Sequence, residues 1–150
     1  IMAALEARGL EVITLNNLSR LETIGTLDQT ARDVVDRFGG VVPDRLDDLV
    51  SLRGVARKTA NVVLGNAFGV PGIAVDTHMQ RVHQRLALVE SDDPVKIERE
   101  LMALVPEPEW TQYTHRVIHH GRVCCTARRP RCETCPVRED CPWPDRERAR

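Results

Sequence analysis

The sequence contains few aromatic residues, which make up 3% of its 150 residues. Proteins that bind single-stranded nucleic acid by stacking bases on rows of aromatic rings need more of them, so that class is excluded. The chain also lacks an apolar run long enough to span a bilayer, and nothing at its start resembles a signal peptide. We therefore expect no membrane partner. The first methionine is Met2 rather than the first residue, which is typical of a fragment or a trimmed chain.

The sequence has no overall excess of positive charge, because its net charge is −1 at pH 7. The charge is unevenly distributed, however. Residues 116–150 contain nine arginines and five acidic residues, a net charge of +4, whereas the remainder contains 12 basic and 17 acidic residues, a net charge of −5. Such a run is usually a solvated surface, but it is also the pattern of a surface that contacts phosphates. The charge alone leaves both interpretations open.

Helical periodicity is clear in several segments, whereas the sustained alternation typical of strands is missing. The apolar stripes at helical spacing are Ala60, Val63, Leu64 and Ala67, and Ile97, Leu101, Leu104 and Val105. Asp93 suits the N-cap of the second of these helices, Pro94 its first position, and Pro106 ends it. Further helices are predicted for residues 28–38, where Gly39 and Gly40 follow, 45–52 and 110–120. The chain is therefore predicted to be all-α with an irregular, cysteine-rich tail.

Four cysteines lie close together in the tail with the spacing C-x6-C-x2-C-x5-C, at Cys125, Cys132, Cys135 and Cys141. Disulfides are the less favoured interpretation, because the rest of the chain does not resemble a small secreted scaffold. Zinc usually takes two close pairs of ligands, and only the middle two cysteines form one. A [4Fe–4S] cluster also takes four cysteines, at spacings that vary. The residues alone leave zinc and iron–sulfur open, and we expect Cys124 to be a fifth thiol that binds no metal.

A glycine-bearing turn joins two predicted helices at residues 52–60, LRGVARKTA. Backbone N–H groups at the start of the second helix could bind a phosphate, although an ordinary helix–turn–helix connection is the alternative. Lys58 is predicted at the start of this helix, where a lysine is usually solvated. Beside another cation such as Arg57, a desolvated lysine loses its proton more easily and becomes a nucleophile. Asp76 either caps the following helix or supplies a carboxylate that faces Lys58 across a cleft.

Together these segments resemble the endonuclease III family of helix-hairpin-helix DNA glycosylases. The family's hairpin is similar to LRGVARKTANVVL at residues 52–64, and its aspartate motif is similar to VDTH at residues 75–78. Its cluster loop has the same cysteine spacing, after the same His-Gly-Arg sequence at residues 120–122. The order and separation of these motifs agree as well, and the resemblance covers roughly residues 38–143.

The resemblance implies a helix-hairpin-helix glycosylase fold made of two helical domains. Residues 1–70 would form a partial helical barrel domain that ends in the hairpin, and residues 71–150 a helical domain with a C-terminal cluster loop. The resemblance also favours a [4Fe–4S] cluster over zinc. The implied ligands of this cluster are Cys125, Cys132, Cys135 and Cys141.

The activity that the resemblance implies is base-excision repair by a DNA glycosylase that is also an AP lyase. Its substrate would be double-stranded DNA that contains oxidised pyrimidines or abasic sites, with the target base flipped out of the duplex. Lys58 would attack C1′ of the damaged nucleoside, and Asp76 would assist by electrostatic stabilisation and proton handling. The resulting Schiff base permits strand cleavage by β-elimination. The expected protein is a cytoplasmic, nucleoid-associated monomer.

The hairpin departs from the family pattern at two positions, since the family usually has proline at position 53 and glycine at position 56. The residues that the resemblance puts against DNA are Arg53, Gly54, Val55, Ala56, Arg57 and Thr59. A position that needs a positive φ or a close phosphate tolerates a Cβ poorly, so Ala56 predicts altered DNA affinity. The family also has further helices before the matched region. A non-catalytic or weakly active DNA-binding paralogue or fragment is therefore the alternative function, and a zinc-stabilised helical binding domain unrelated to repair is a third.

Overall fold

The computed structural model describes residues 21–144, and every element in this range is helical. The predicted all-α class is confirmed. The chain divides into two compact units, Ile1–Val70 and Pro71–Arg150. The start of the predicted barrel domain and the last three arginines of the cationic segment lie outside the described residues. Within residues 21–144, no helix is both long and apolar enough to cross a membrane.

The first unit is built from three α-helices, α1 (Leu21–Phe38), α2 (Leu46–Val50) and α3 (Arg57–Val63), and α3 continues into a π-helical turn at Leu64–Phe68. Helix α1 begins earlier than the predicted residue 28. It is followed by the glycine pair that was predicted to end it, and both of these residues have positive φ, of 61° and 82°. Such angles are costly for residues with a Cβ, so the helix cannot continue past them.

Residues on both sides of the hairpin turn are buried in the core of the first unit. Leu52 precedes the turn and Ala60 follows it, and both are buried with Leu64, Leu49 and Val34. The predicted apolar stripe of α3 is therefore confirmed at Ala60 and Leu64. Because both flanks are buried, the intervening turn is held at the surface of the unit in a fixed position.

The second unit contains α4 (Thr77–Arg85), α5 (Pro94–Leu104) and α6 (Trp110–Val123), with short 3-10 turns at Glu107–Glu109 and Cys132–Thr134. Helix α5 begins as predicted, since the Asp93 carboxylate accepts hydrogen bonds from the backbone N–H groups of Val95 (2.8 Å) and Lys96 (3.4 Å). Pro94 occupies the first helical position, where its missing N–H is not needed.

The core of the second unit includes Ile97 and Leu101 of α5, which are fully buried, but Leu104 of the predicted stripe is 60% exposed. The prediction was wrong there because α5 ends at Leu104 and the backbone becomes extended at Val105. Met102 packs against the core from this end of the helix.

Helices α4 and α6 pack together at a point where Gly121 leaves no room for a side chain. A Cβ added at Gly121 would lie 2.9 Å from His78 Cβ and 3.3 Å from Val82 Cγ2. The Gly121 carbonyl also accepts a hydrogen bond of 2.7 Å from Arg81 Nη2. The close approach therefore brings α4 directly against the segment that leads into the cysteine loop.

A buried histidine–tyrosine pair lies in the same unit. His83 is fully buried, and burial lowers its pKa from 6.5, so the ring is neutral. Its Nδ1 donates to the Met79 carbonyl (2.6 Å), and its Nε2 therefore accepts from the Tyr113 hydroxyl (2.6 Å). Burial also raises the pKa of Tyr113 above 10.0. Both ring nitrogens are thus satisfied within the core.

Candidate metal centre and hairpin

One pocket in the second unit is lined by all five cysteines of the chain. Cys124 and Cys125 directly follow α6, Cys132 begins a 3-10 turn that Cys135 follows, and Cys141 comes from the next turn of the loop. All five are free thiols of intermediate exposure. The structure thus brings together the four predicted cluster ligands, together with the fifth cysteine.

The thiols of this pocket are close enough to influence one another electrostatically. The pKa of Cys132 is raised, first by burial and then by the neighbouring thiols of Cys125, Cys135 and Cys141. Deprotonating all four would therefore gather negative charge in one small space, which is unfavourable unless a cationic centre neutralises it. Four convergent thiolates are the donor set of a [4Fe–4S] cluster. The residues present fit that group.

Two arginines of α4 fasten the start of the cysteine loop. Arg85 Nη1 donates to Cys125 Sγ (3.2 Å) and to the Thr126 carbonyl (2.8 Å), and its guanidinium lies 4.0 Å from the ring centre of Trp143. Arg81 donates to the Cys125 carbonyl from Nε (3.1 Å) and from Nη2 (3.0 Å). Neither residue is among those that the sequence predicts for the site. The only sequence feature that could have indicated them is their i, i+4 spacing, which puts two cations on one face of a helix.

Cys124 lies inside the pocket, with its ligand atom among those of His120 and Cys135. These three atoms all lie within 4.8 Å of one another. Burial, followed by the neighbouring Cys135 thiol, raises the pKa of Cys124 to about 11. That Cys124 is not a ligand of the cluster stays a prediction.

The loop between the cysteines presents three exposed arginines, Arg128, Arg129 and Arg131, around a buried Pro130. Proline at this position fixes the backbone, and its burial anchors the loop against the unit. The arginines are therefore carried on a tethered segment rather than on a loose tail.

The hairpin turn requires glycine at Gly54, whose φ is 76°. Ala56 has a φ of −79° and a ψ of 161°, an extended conformation that any residue adopts. Backbone strain at Ala56, one of the two reasons for expecting altered DNA affinity, is therefore ruled out by the structure. The other reason, closeness of the Cβ to a phosphate, stays a prediction.

Residue 53 is tied to α1 through both its backbone and its side chain. Thr30 Oγ1 donates to the Arg53 carbonyl (2.5 Å), and the Arg53 N–H donates to Asp33 Oδ2 (3.4 Å). Arg53 Nε also lies 3.8 Å from Asp33 Oδ2 in an ion pair whose arginine is 66% exposed. A pair this exposed adds little stability. Its main effect is to compensate part of the charge that Arg53 brings to the turn.

Lys58 and Thr59 are exposed in the first turn of α3, whereas Val55 and Arg57 are half-buried. The first intrahelical hydrogen bond of α3 runs from Ala60 N to the Ala56 carbonyl (3.0 Å). Helix geometry points the preceding N–H groups out along the axis beyond the helix start. The turn therefore presents backbone donors and a lysine side chain on the same surface.

Asp76 caps α4, as one of its two predicted roles requires. Its Oδ1 accepts hydrogen bonds from His78 N (2.9 Å) and Met79 N (2.9 Å). Asp76 belongs to the second unit and Lys58 to the first. That the two face each other across a cleft stays a prediction.

The cysteine loop matches a known family model, described as the iron–sulfur binding domain of endonuclease III, over residues 125–141. Endonuclease III of Synechocystis sp. is 50% identical to this chain over 112 residues, which cover 74% of the chain and 51% of the relative. Endonuclease III of Bacillus subtilis is 46% identical over 116 residues, which cover 77% of the chain and 53% of the relative. The chain thus spans about half the length of these curated relatives.

A solved structure of a trapped covalent intermediate between endonuclease III and DNA, an estranged-adenine complex, is also similar to this chain. Its TM-score is 0.78 at 42% identity, and the match covers 84% of this chain and 59% of the solved one. These likenesses agree with the helix-hairpin-helix glycosylase fold that the sequence predicts. The [4Fe–4S] cofactor agrees with the family match and with the convergent thiols.

Proposed function

We propose that this chain, which is similar to endonuclease III over the stretch that it shares with these relatives, is a base-excision repair DNA glycosylase with AP lyase activity. One observation carries the proposal: Lys58 is exposed in the first turn of a helix that follows a fixed glycine turn. A lysine that attacks a sugar carbon must be accessible to the DNA and must lie at a defined position, and Lys58 meets both requirements because it is exposed beside a fixed turn. The desolvation that makes a lysine nucleophilic would come from the bound duplex.

The hairpin is the proposed DNA contact. The outward N–H groups at the start of α3 and the positive end of the helix dipole favour a phosphate oxygen. Such contacts fix the register of the protein on the duplex and carry no sequence information, which suits an enzyme that finds damage in any sequence. The proposed contacts are the backbone of Gly54, Val55 and Ala56, and the side chains of Arg53, Arg57 and Thr59.

Lys58 is the proposed nucleophile, attacking C1′ of the damaged nucleoside as the bond to the base breaks. The Schiff base that follows withdraws electrons from the sugar, so that loss of a proton from C2′ expels the 3′ phosphate by β-elimination. The endonuclease III structure that holds a trapped covalent DNA intermediate supports a covalent route of this kind. Asp76 would stabilise the positive charge that develops on the sugar and handle protons.

Cys125, Cys132, Cys135 and Cys141 are the proposed ligands of the cluster, and the contribution of the cluster is structural. Metal–thiolate bonds would hold a loop that has little apolar content of its own. That loop carries the exposed Arg128, Arg129 and Arg131, which we propose as phosphate contacts. The proposed substrate is double-stranded DNA with oxidised pyrimidines or abasic sites, bound by a monomer at the nucleoid.

Two substitutions at Asp76 test the mechanism, because asparagine can keep the helix cap while removing the charge. Both Asp76→Asn and Asp76→Ala should lose most cleavage of a duplex oligonucleotide with one abasic site. Only Asp76→Ala should also lose stability, by about 1 kcal/mol. Full cleavage by Asp76→Asn would contradict the catalytic role. A wild-type chain that binds the duplex without cleaving it would instead make the non-catalytic DNA-binding module the better description.

A further inference from the structure

His120, Cys124 and Cys135 form a second ligand set, which shares only Cys135 with the four proposed cluster cysteines. Their ligand atoms lie within 4.8 Å of one another, and His120 Nε2 is 3.9 Å from Cys135 Sγ. A tetrahedral zinc ion, with bonds of about 2.3 Å to sulfur and about 2.0 Å to nitrogen, separates its ligand atoms by about 3.6–3.8 Å. The distance from His120 Nε2 to Cys135 Sγ is already close to that separation, and the 4.8 Å limit on the whole set means that movements of about 1 Å would complete the geometry.

Two of the three ligands, His120 and Cys124, are positioned by the end of helix α6. His120 lies in the last turn of α6 and Cys124 follows four residues later, joined by a hydrogen bond from Cys124 N to the His120 carbonyl (2.9 Å). This spacing puts the two side chains on one face of the helix end. The Cys124 thiol also donates to the Arg131 carbonyl (3.6 Å), which directs it into the pocket.

The two ligand sets share only Cys135, and they cannot be occupied together. An imidazole with two thiolates is a donor set that zinc accepts readily, with water at the fourth position. We propose that the chain, when it lacks its cluster, binds one zinc ion through His120 Nε2, Cys124 Sγ and Cys135 Sγ. Binding displaces the two thiol protons into solution. Because Cys135 serves both sets, zinc and the cluster exclude each other, and zinc-loaded chain must lose its zinc before it accepts iron and sulfide.

Zinc titration of the full chain after removal of iron tests the proposal, with a coloured chelator as competitor. One equivalent should bind, and His120→Ala and Cys124→Ser should each weaken zinc affinity by at least about tenfold. Cys125→Ser and Cys141→Ser are the matched controls, since they remove thiols of the same pocket that belong only to the cluster set. Their zinc affinity should stay within about twofold of wild type.

Cobalt(II) in place of zinc gives a readout that needs no substitution, because its visible spectrum reports the number of bound thiolates. Two thiolates and one imidazole are expected in the unaltered chain. Three or four thiolates would overturn the proposal, and so would controls that lose as much zinc affinity as Cys124→Ser. Reconstitution with iron and sulfide should give the converse pattern, with visible absorption retained in Cys124→Ser and lost in Cys125→Ser. This test does not involve DNA and stands apart from the proposed repair activity.

Discussion

Replacement of Gly121 by alanine should destabilise the second unit, although alanine is the better helix former. The added Cβ would meet His78 Cβ at 2.9 Å, whereas carbon atoms pack best at about 3.5–4.0 Å. His78 Cβ is fixed to its backbone, so rotation of a side chain cannot relieve the contact and α4 and α6 must separate. Overpacking of this kind costs about 1–3 kcal/mol, and alanine regains about 1 kcal/mol in helix propensity. The contact at 2.9 Å is with an atom that cannot rotate away, which puts the overpacking cost in the upper half of that range, about 2–3 kcal/mol, so the expected net loss is about 1–2 kcal/mol.

Urea unfolding followed by tryptophan fluorescence measures this loss, because both tryptophans of the chain, Trp110 and Trp143, belong to the second unit. Gln112→Ala, at an exposed position of the same helix, is the matched control and should change the free energy of unfolding by less than about 0.5 kcal/mol. The separation of the helices should also weaken the hydrogen bonds from Arg81 to the Cys125 carbonyl. The cluster, followed by its visible absorption, should therefore be lost faster. A Gly121→Ala chain as stable as wild type, or more stable, would refute the close packing of α4 on α6.

Three further predictions follow from single side chains. Because burial lowers the pKa of His83, the folded chain binds fewer protons than the unfolded one at acidic pH. As the pH decreases from about 6.5, the free energy of unfolding should therefore decrease by up to about 1.4 kcal/mol per pH unit. His83→Gln should remove this part of the pH dependence in urea unfolding, and an unchanged slope would count against it. Ala56→Gly should raise the affinity for abasic duplex but not the stability, since Ala56 has an ordinary φ. Unchanged affinity in a binding titration would mean that the Cβ of Ala56 does not affect DNA binding. Cys132→Ser should lose the visible absorption of the cluster and its DNA affinity together, whereas Cys124→Ser should keep both. A colourless Cys132→Ser chain that binds DNA as well as wild type would show that DNA binding does not depend on the cluster.

The features that the sequence predicts well are those that depend on neighbouring residues. Asp93 and Asp76 cap their helices as predicted because a cap needs only a carboxylate and the N–H groups two and three residues later. The four cysteines likewise converge within one short loop. In such cases the local sequence contains all of the interacting groups.

The features that it predicts poorly depend on residues far apart in the chain. Arg81 and Arg85 reach the cysteine loop across about forty residues of sequence, and no local pattern indicates such a contact. Leu104 is exposed because the end of a helix is not visible in its apolar periodicity. A positive φ at position 56, one of the two reasons for expecting altered DNA affinity, is not found, because the positive φ of the turn lies at Gly54.

Lys58 is proposed to form a Schiff base with damaged DNA. The most direct test incubates the chain with an abasic-site duplex and sodium borohydride, which reduces the Schiff base to a stable covalent bond. Lys58→Ala is the control, together with Lys96→Ala at another lysine of the chain. We expect an adduct with wild type and with Lys96→Ala, and none with Lys58→Ala. An adduct that persists in Lys58→Ala, or no adduct from a folded, brown wild-type chain that binds the duplex, would contradict it.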